Sequence, residues 1–229
     1  MPSALILIAD GTEEMEFTIT YDTLVRAGVD CKSAFVHNDE FVTPPAAKGS
    51  RGIKIVPDGY FEPADSGPDK FDALVVPGGA KGAETISQNS AVQKLVRDYL
   101  AEGKLVGMIC AGMPDGYTYL GRTDFAARLG SLAALTSGLP KQPLTSHPSV
   151  IAQLQDEFIY SEDSVVVSNN LITSRGPGKR TIDPNTPFAK ALASGTAFPF
   201  AFKMVELLCG PEKRQEVHGP MVFPAGTPW

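Results

Sequence analysis

The chain opens on a continuous apolar run, Ala4-Leu-Ile-Leu-Ile-Ala9, of strand length and without polar alternation. That pattern predicts a central strand covered on both faces. The run stops at Asp10-Gly11-Thr12, and a helical spacing takes over from Glu13 to Arg26. Thr12 is placed to cap this helix, acidic residues fill its first turn, Arg26 lies in its last and Gly28 closes it. A strand over 30–36 follows. After the Pro-rich piece around Thr43-Pro-Pro-Ala-Ala47, a short strand is predicted over 52–57. Phe71-Asp-Ala-Leu-Val-Val-Pro-Gly-Gly79 repeats the sequence of buried strand and glycine turn, leading to an amphipathic helix from about Ser90 to Glu102. Lys104 to Ile109 reads as another strand, Cys110-Ala-Gly112 as a tight turn, and a helix is expected from near Pro114 towards Leu120.

Further on, 132–136 and 165–173 read as strands and 198–208 as a helix ended by Cys209-Gly-Pro211. Alternating strands and helices predict an α/β fold with a mostly parallel, doubly wound sheet. In such sheets chemistry collects at the carboxyl ends of the strands, and Glu16, Gly79 and Cys110 each fall just after a predicted strand.

With 229 residues, 43% of them hydrophobic, the chain is large enough to fold around one core as a single domain, 1–229, with no need of a disulfide or metal. The formal charge is −6, from 20 Lys and Arg against 26 Asp and Glu, and the basic residues form no cluster. This argues against nucleic acid as a partner and leaves small molecules and proteins. The apolar start has no basic leader, and Asp10 and Glu13 interrupt it before it could span a membrane, so neither a signal peptide nor a membrane association is expected. The three cysteines, Cys31, Cys110 and Cys209, show no CxxC pair and no His at ligand spacing. They predict neither a disulfide framework nor a zinc site, and they fit a reducing compartment, the cytoplasm and also the nucleus.

Cys110 lies between an apolar strand and a small-residue turn, Gly107-Met-Ile-Cys-Ala-Gly112, as in a nucleophile elbow. A thiol held at a helix N-terminus is expected to have a lowered pKa. Free cysteines in general are small buried hydrophobes, the reading given to Cys31 and Cys209. Glu16, one turn into the first helix, would alone be a solvated residue. Beside Cys110 at the same sheet edge it can share a proton with the thiol, or act as general acid and base, with its pKa raised. Glu13 and Glu14 read as surface residues. His147, in Thr145-Ser-His-Pro148, is either a surface turn residue or a group that orients the thiol and activates water. His37 and His218 carry no such argument. The backbone N–H groups of Gly78-Gly79 and Ala111 form either plain turns or an oxyanion hole. Gly79-Ala-Lys-Gly82 and Gly176-Pro-Gly178 match neither phosphate-binding glycine pattern, so no nucleotide site is predicted.

Taken in order, Ala9-Asp-Gly-Thr-Glu-Glu-Met-Glu16, Val76-Pro-Gly-Gly79, Ile109-Cys-Ala-Gly112, Ser146-His-Pro148 and Thr173-Ser-Arg-Gly-Pro-Gly178 resemble the DJ-1/ThiJ/PfpI superfamily, most nearly its DJ-1 branch. The resemblance covers nearly the whole chain. It implies a flavodoxin-like three-layer sandwich, usually a homodimer, with Cys110 as nucleophile, Glu16 as its protonated partner and His147 as third member. It further implies oxyanion N–H groups from Gly79 and Ala111, with Arg26 and Arg51 lining the pocket or the dimer edge, and no cofactor. The implied activity is a glutathione-independent glyoxalase, a lyase turning methylglyoxal into lactate. Alternatives are protein deglycation and a redox-sensing, chaperone-like stress protein acting through Cys110; peptide hydrolysis is a remoter reading. Two departures bear on pocket shape. Residues 179–194 interrupt what in the family is a direct join, as a tolerated surface loop or an element near the pocket. The stretch 115–145 is longer than usual and starts from Met113-Pro114.

Overall fold

The computed structural model describes residues 1–37, 45–110, 132–176, 195–224 and 227. The apolar first run forms β1 (Ser3–Ile8), followed by α1 (Glu14–Arg26) and β2 (Asp30–Phe35). A small antiparallel hairpin, β3 (Ala47–Lys48) with β4 (Lys54–Ile55), precedes the short β5 (Gly59–Tyr60). Then come β6 (Ala73–Val76), α2 (Ala80–Gln88), α3 (Ser90–Ala101) and β7 (Leu105–Ile109). The remainder holds α4 (Leu132–Thr136), β8 (Pro143–Leu144), α5 (Ile151–Leu154), β9 (Ile159–Tyr160), β10 (Val165–Ser168), β11 (Leu171–Ser174), α6 (Ala197–Cys209) and α7 (Pro211–His218).

The main sheet runs β10-β11-β7-β6-β1-β2-β5, with every neighbouring pair parallel except β10 and β11. Its parallel centre, in chain order, is the 2-1-3-4-5 arrangement, which reverses direction between β1 and β6. Alternate residues of β1 explain why that strand reads as unbroken apolar sequence. Leu5 and Leu7 enter the core under α2 and α3, whereas Ala4, Ile6 and Ile8 enter the core under α1 and α6. Both faces are therefore closed.

Several expectations change. Thr12 does not cap α1: its hydroxyl accepts from Ala9 N–H at 3.0 Å and pins the turn after β1, and Glu13 is the N-cap, accepting from Glu16 N–H at 2.9 Å. Residues 132–136 form a helix, because Leu-Ala-Ala-Leu-Thr is rich in helix formers and lacks β-branched side chains in its interior. The span 165–173 is a hairpin, broken at Asn169, whose φ of 52° suits asparagine in a tight turn. Helix α2 was not foreseen, since Gly82 in its interior lowers helix propensity; the lack of a side chain there lets the helix lie against Thr12. Helix α7 was hidden by its polar composition, although Pro211 sits at its first turn. The helix expected from Pro114 and the interrupting segment 179–194 lie outside the described residues.

Candidate active site

The carboxyl ends of β1, β6, β7 and β11 bring four turns together. After β7 the chain reaches Cys110, which adopts φ 63°, one of two described non-glycine residues in the left-handed region. Such a conformation costs a β-carbon-bearing residue about 1–2 kcal/mol, and it is held here by packing and by the Cys110 N–H bond to Ser174 O at 2.8 Å. The thiol is buried, at 1% exposure.

Glu16 projects from the first turn of α1 into the same place and is fully buried. Its Oε2 accepts from Gly78 N–H at 2.7 Å. Among the described residues Oε1 has no nitrogen or oxygen partner, and the carboxyl's other neighbour is the Cys110 thiol. Two glycines make room for the pair. A β-carbon on Gly78 would lie 2.6 Å from Glu16 Oε2 and 2.7 Å from Cys110 Cβ, and one on Gly176 would lie 2.6 Å from Cys110 Sγ and 2.7 Å from Glu16 Oε1. Gly79, at φ 93°, caps α2 and turns its N–H towards the sulfur.

Burial pushes the Glu16 carboxyl well above its ordinary range, more than the Gly78 N–H can offset. Burial likewise pushes the Cys110 thiol up, and the neighbouring Glu16 carboxylate adds to it. The expectation of a lowered thiol pKa is thereby corrected: among the described residues it is the dry pocket and the adjacent carboxyl that dominate. Two negative charges in so small a buried volume are mutually unfavourable, so the pair retains at least one proton at neutral pH. With that proton on Glu16, the same carboxyl stops repelling the thiolate and donates to it.

The other acidic residues of the segment are not surface groups. Glu14 is 6% exposed, and its carboxylate accepts from Arg51 N–H at 2.6 Å and Ser50 Oγ at 2.8 Å. Burial acts to raise it, but these bonds outweigh burial and hold it below the ordinary carboxylate range. Glu13 is raised, chiefly by burial and partly offset by its bond from Glu16 N–H. The Arg51 side chain is exposed, and its charge acts weakly on Glu13.

His147 is half-buried after β8, its carbonyl accepting from Val150 N–H at 3.2 Å. Thr145 N–H, just before it, donates to Thr173 Oγ1 at 2.9 Å, which brings this segment to the same sheet end. Arg26 is not brought to the site. It lies at the far end of α1, roughly 15 Å along the helix from Glu16, exposed and paired with Asp22 at 2.7 Å. Ala111, the second expected oxyanion donor, lies outside the described residues. Gly176 and Thr196 were not picked out as site residues, although the signal was present in Thr173-Ser-Arg-Gly-Pro-Gly178 and in Gly195-Thr196 beyond it. Among the described residues no group of three or more His, Cys, Asp or Glu could hold a metal ion, and no helix is long and apolar enough to cross a membrane.

A cysteine at an elbow beside a buried carboxyl, at the point where a 2-1-3-4-5 sheet reverses, defines a flavodoxin-like α/β protein with a buried thiol and carboxyl pair at its strand ends. The chain belongs to the DJ-1/PfpI family, whose model matches residues 2–124. It is 38% identical over 216 residues to Protein dj-1beta of Drosophila melanogaster, covering 94% of each chain. It is 31% identical over 231 residues to the Glutathione-independent glyoxalase DJ-1 of Schizosaccharomyces pombe, covering 98% of this chain and 100% of that one. The crystal structure of the Drosophila protein superposes with a TM-score of 0.74 at 34% identity, over 97% of this chain and 99% of that one.

Proposed function

We propose that this protein is a glutathione-independent glyoxalase, a lyase of the D-lactate dehydratase type that converts methylglyoxal and water into lactate without a cofactor. The observation that carries the reading is the buried pair of Cys110 and Glu16, which must keep a proton between them. A relative of similar length that bears the glyoxalase name supports it.

With the shared proton on Glu16, the Cys110 thiolate adds to the aldehyde carbon and Glu16 protonates the oxygen, giving a hemithioacetal. The Glu16 carboxylate so formed takes the hydrogen of that carbon as a proton, and the electron pair moves into the neighbouring carbonyl to give an enediolate. Glu16 returns the proton to the second carbon, and the first hydroxyl becomes the carbonyl of a lactoyl thioester as its proton passes to the second oxygen. Gly79 N–H, already aimed at the sulfur, is placed to support charge developing on the adjacent oxygen. Water, activated by His147, cleaves the thioester to lactate and restores the thiol.

The test is lactate formation from methylglyoxal with glutathione absent, in the fully reduced protein. Glu16→Gln is expected to lose on the order of 10²–10⁴-fold in turnover, as for removal of a general acid and base. His147→Ala separates a chemical from a structural role for the third residue. No lactate from the reduced wild type would overturn the reading in favour of a redox sensor. One observation favours that alternative: the Glu16 carboxyl lies against the Cys110 thiol, placed to hydrogen-bond an oxygen added to the sulfur by hydrogen peroxide.

A further inference from the structure

Thr196 stands at the N-cap of α6, where a threonine hydroxyl ordinarily accepts from an N–H of the first helical turn and stabilises the helix by about 1 kcal/mol. Here it makes no such bond, although its carbonyl takes up the helical bond from Phe200 N–H at 3.0 Å. The hydroxyl is turned instead towards the strand end. It accepts from Gly176 N–H at 2.6 Å and from the Ser174 hydroxyl at 2.6 Å. Ser164 O, 2.9 Å from Ser174 Oγ, is the alternative acceptor for the same hydroxyl proton. Gly176 N–H and the Ser174 hydroxyl thus converge on the Thr196 hydroxyl and tie the end of β11 to the start of α6. A residue that gives up its local capping bond for a long-range one marks a place where another requirement prevails.

What this arrangement holds is Gly176. At φ 76° it lies directly on the reacting pair, close enough that a β-carbon would meet Cys110 Sγ at 2.6 Å and Glu16 Oε1 at 2.7 Å. Ser174 serves both sides, because its carbonyl also anchors Cys110 N–H at 2.8 Å.

We propose that Thr196 is a positioning residue: its hydroxyl, tied to Ser174 and to Gly176 N–H, holds the Gly176 backbone against Cys110 and Glu16 and so keeps water from the pair. The proposal rests on the glyoxalase reading only for its effect on turnover. Its effect on the thiol is independent of that reading. Among the described residues the titratable groups that act on the thiol are Glu16 and Glu13, both from the start of α1, and His147 lies at the same sheet end. None of them touches the substituted hydroxyl in the described contacts.

The experiment compares Thr196→Val, which keeps the shape and loses the hydroxyl, with Thr196→Ser, which keeps the hydroxyl. The readouts are lactate formation and the pH profile of Cys110 alkylation by iodoacetamide, with thermal melting as a check on folding. In Thr196→Val, water reaching the thiol relieves the desolvation that raises it. The half-rate pH is therefore expected to fall by about one unit, making alkylation at neutral pH about 10-fold faster. Lactate formation is expected to fall about 10-fold, and Thr196→Ser to restore both. If Thr196→Val does not fold, Thr196→Ala serves the same comparison. An alkylation profile equal to wild type in the folded variant overturns the proposal, as does a shift that serine fails to restore. If the wild type forms no lactate, the glyoxalase reading falls while the alkylation profile still decides the role of Thr196.

Discussion

Replacing Gly176 by alanine tests the packing of the site with an internal control. The substituted residue would have to keep φ 76°, and its β-carbon would collide with Cys110 Cβ while lying 2.6 Å from Sγ and 2.7 Å from Glu16 Oε1. Gly28, beyond the far end of α1, adopts nearly the same φ of 79°, but a β-carbon there would have nothing within 4 Å. Both substitutions carry the left-handed cost of about 1–2 kcal/mol. Only Gly176→Ala adds overpacking, about 1–3 kcal/mol more. At this chain length each kcal/mol shifts the melting temperature by about 2–4 °C, so Gly176→Ala should melt about 2–12 °C below Gly28→Ala. Thermal unfolding of the two single variants beside wild type measures the difference, and alkylation of Cys110 shows whether the thiol has been displaced. Equal melting temperatures together with a wild-type alkylation rate would refute the account of Gly176 as the wall of the site.

Two predictions concern charge. The folded state keeps Glu16 protonated above the 4.5 of an ordinary carboxyl, so stability falls as pH rises from that value through the raised folded one. Glu16→Gln cannot ionise, and its melting temperature should therefore decline less than wild type between about pH 5 and 8; parallel pH curves would contradict this. Glu14 has the opposite sign: its folded pKa is depressed, so its contribution is present above the ordinary value and lost as pH falls through the folded one. Glu14→Gln, which weakens charge-assisted bonds to Arg51 N–H and Ser50 Oγ, should cost about 1.5–3 kcal/mol in urea unfolding at neutral pH and less in acid, and a deficit independent of pH would count against it.

The parts of the fold that were legible in the sequence are those where one physical signal dominates. The unbroken apolar runs of β1, β6 and β7 reported burial on both faces, and the Gly-terminated spacing of α1 reported a helix. The site was legible as positions: Glu16, Gly79 and Cys110 were placed at strand ends, and the sheet order brings them together. What could not be read was the balance of forces there. The turn after Cys110 suggested a lowered thiol pKa, whereas burial and the adjacent Glu16 carboxyl push it up. Glu14 looked like a surface acid because sequence does not show that Gly49, Ser50 and Arg51 fold back over it. Arg26 is spaced from Glu16 along a helix, and only the direction of that helix shows that it points away from the sheet end that carries the chemistry. Thr196 was invisible for a related reason: its partners Ser174 and Gly176 lie across a segment of chain whose length hides their proximity.

The central claim is that Cys110 forms the covalent bond to the substrate. The most direct measurement is intact-protein mass after brief mixing with methylglyoxal in the absence of glutathione, with the site of addition mapped by peptide analysis and Cys110→Ser as control. The account predicts a gain equal to the mass of one methylglyoxal on Cys110, shared by the hemithioacetal and its lactoyl thioester isomer, accumulating further in Glu16→Gln as the hemithioacetal. Lactate formation that survives in Cys110→Ser, or turnover by wild type with no adduct on Cys110, would contradict it.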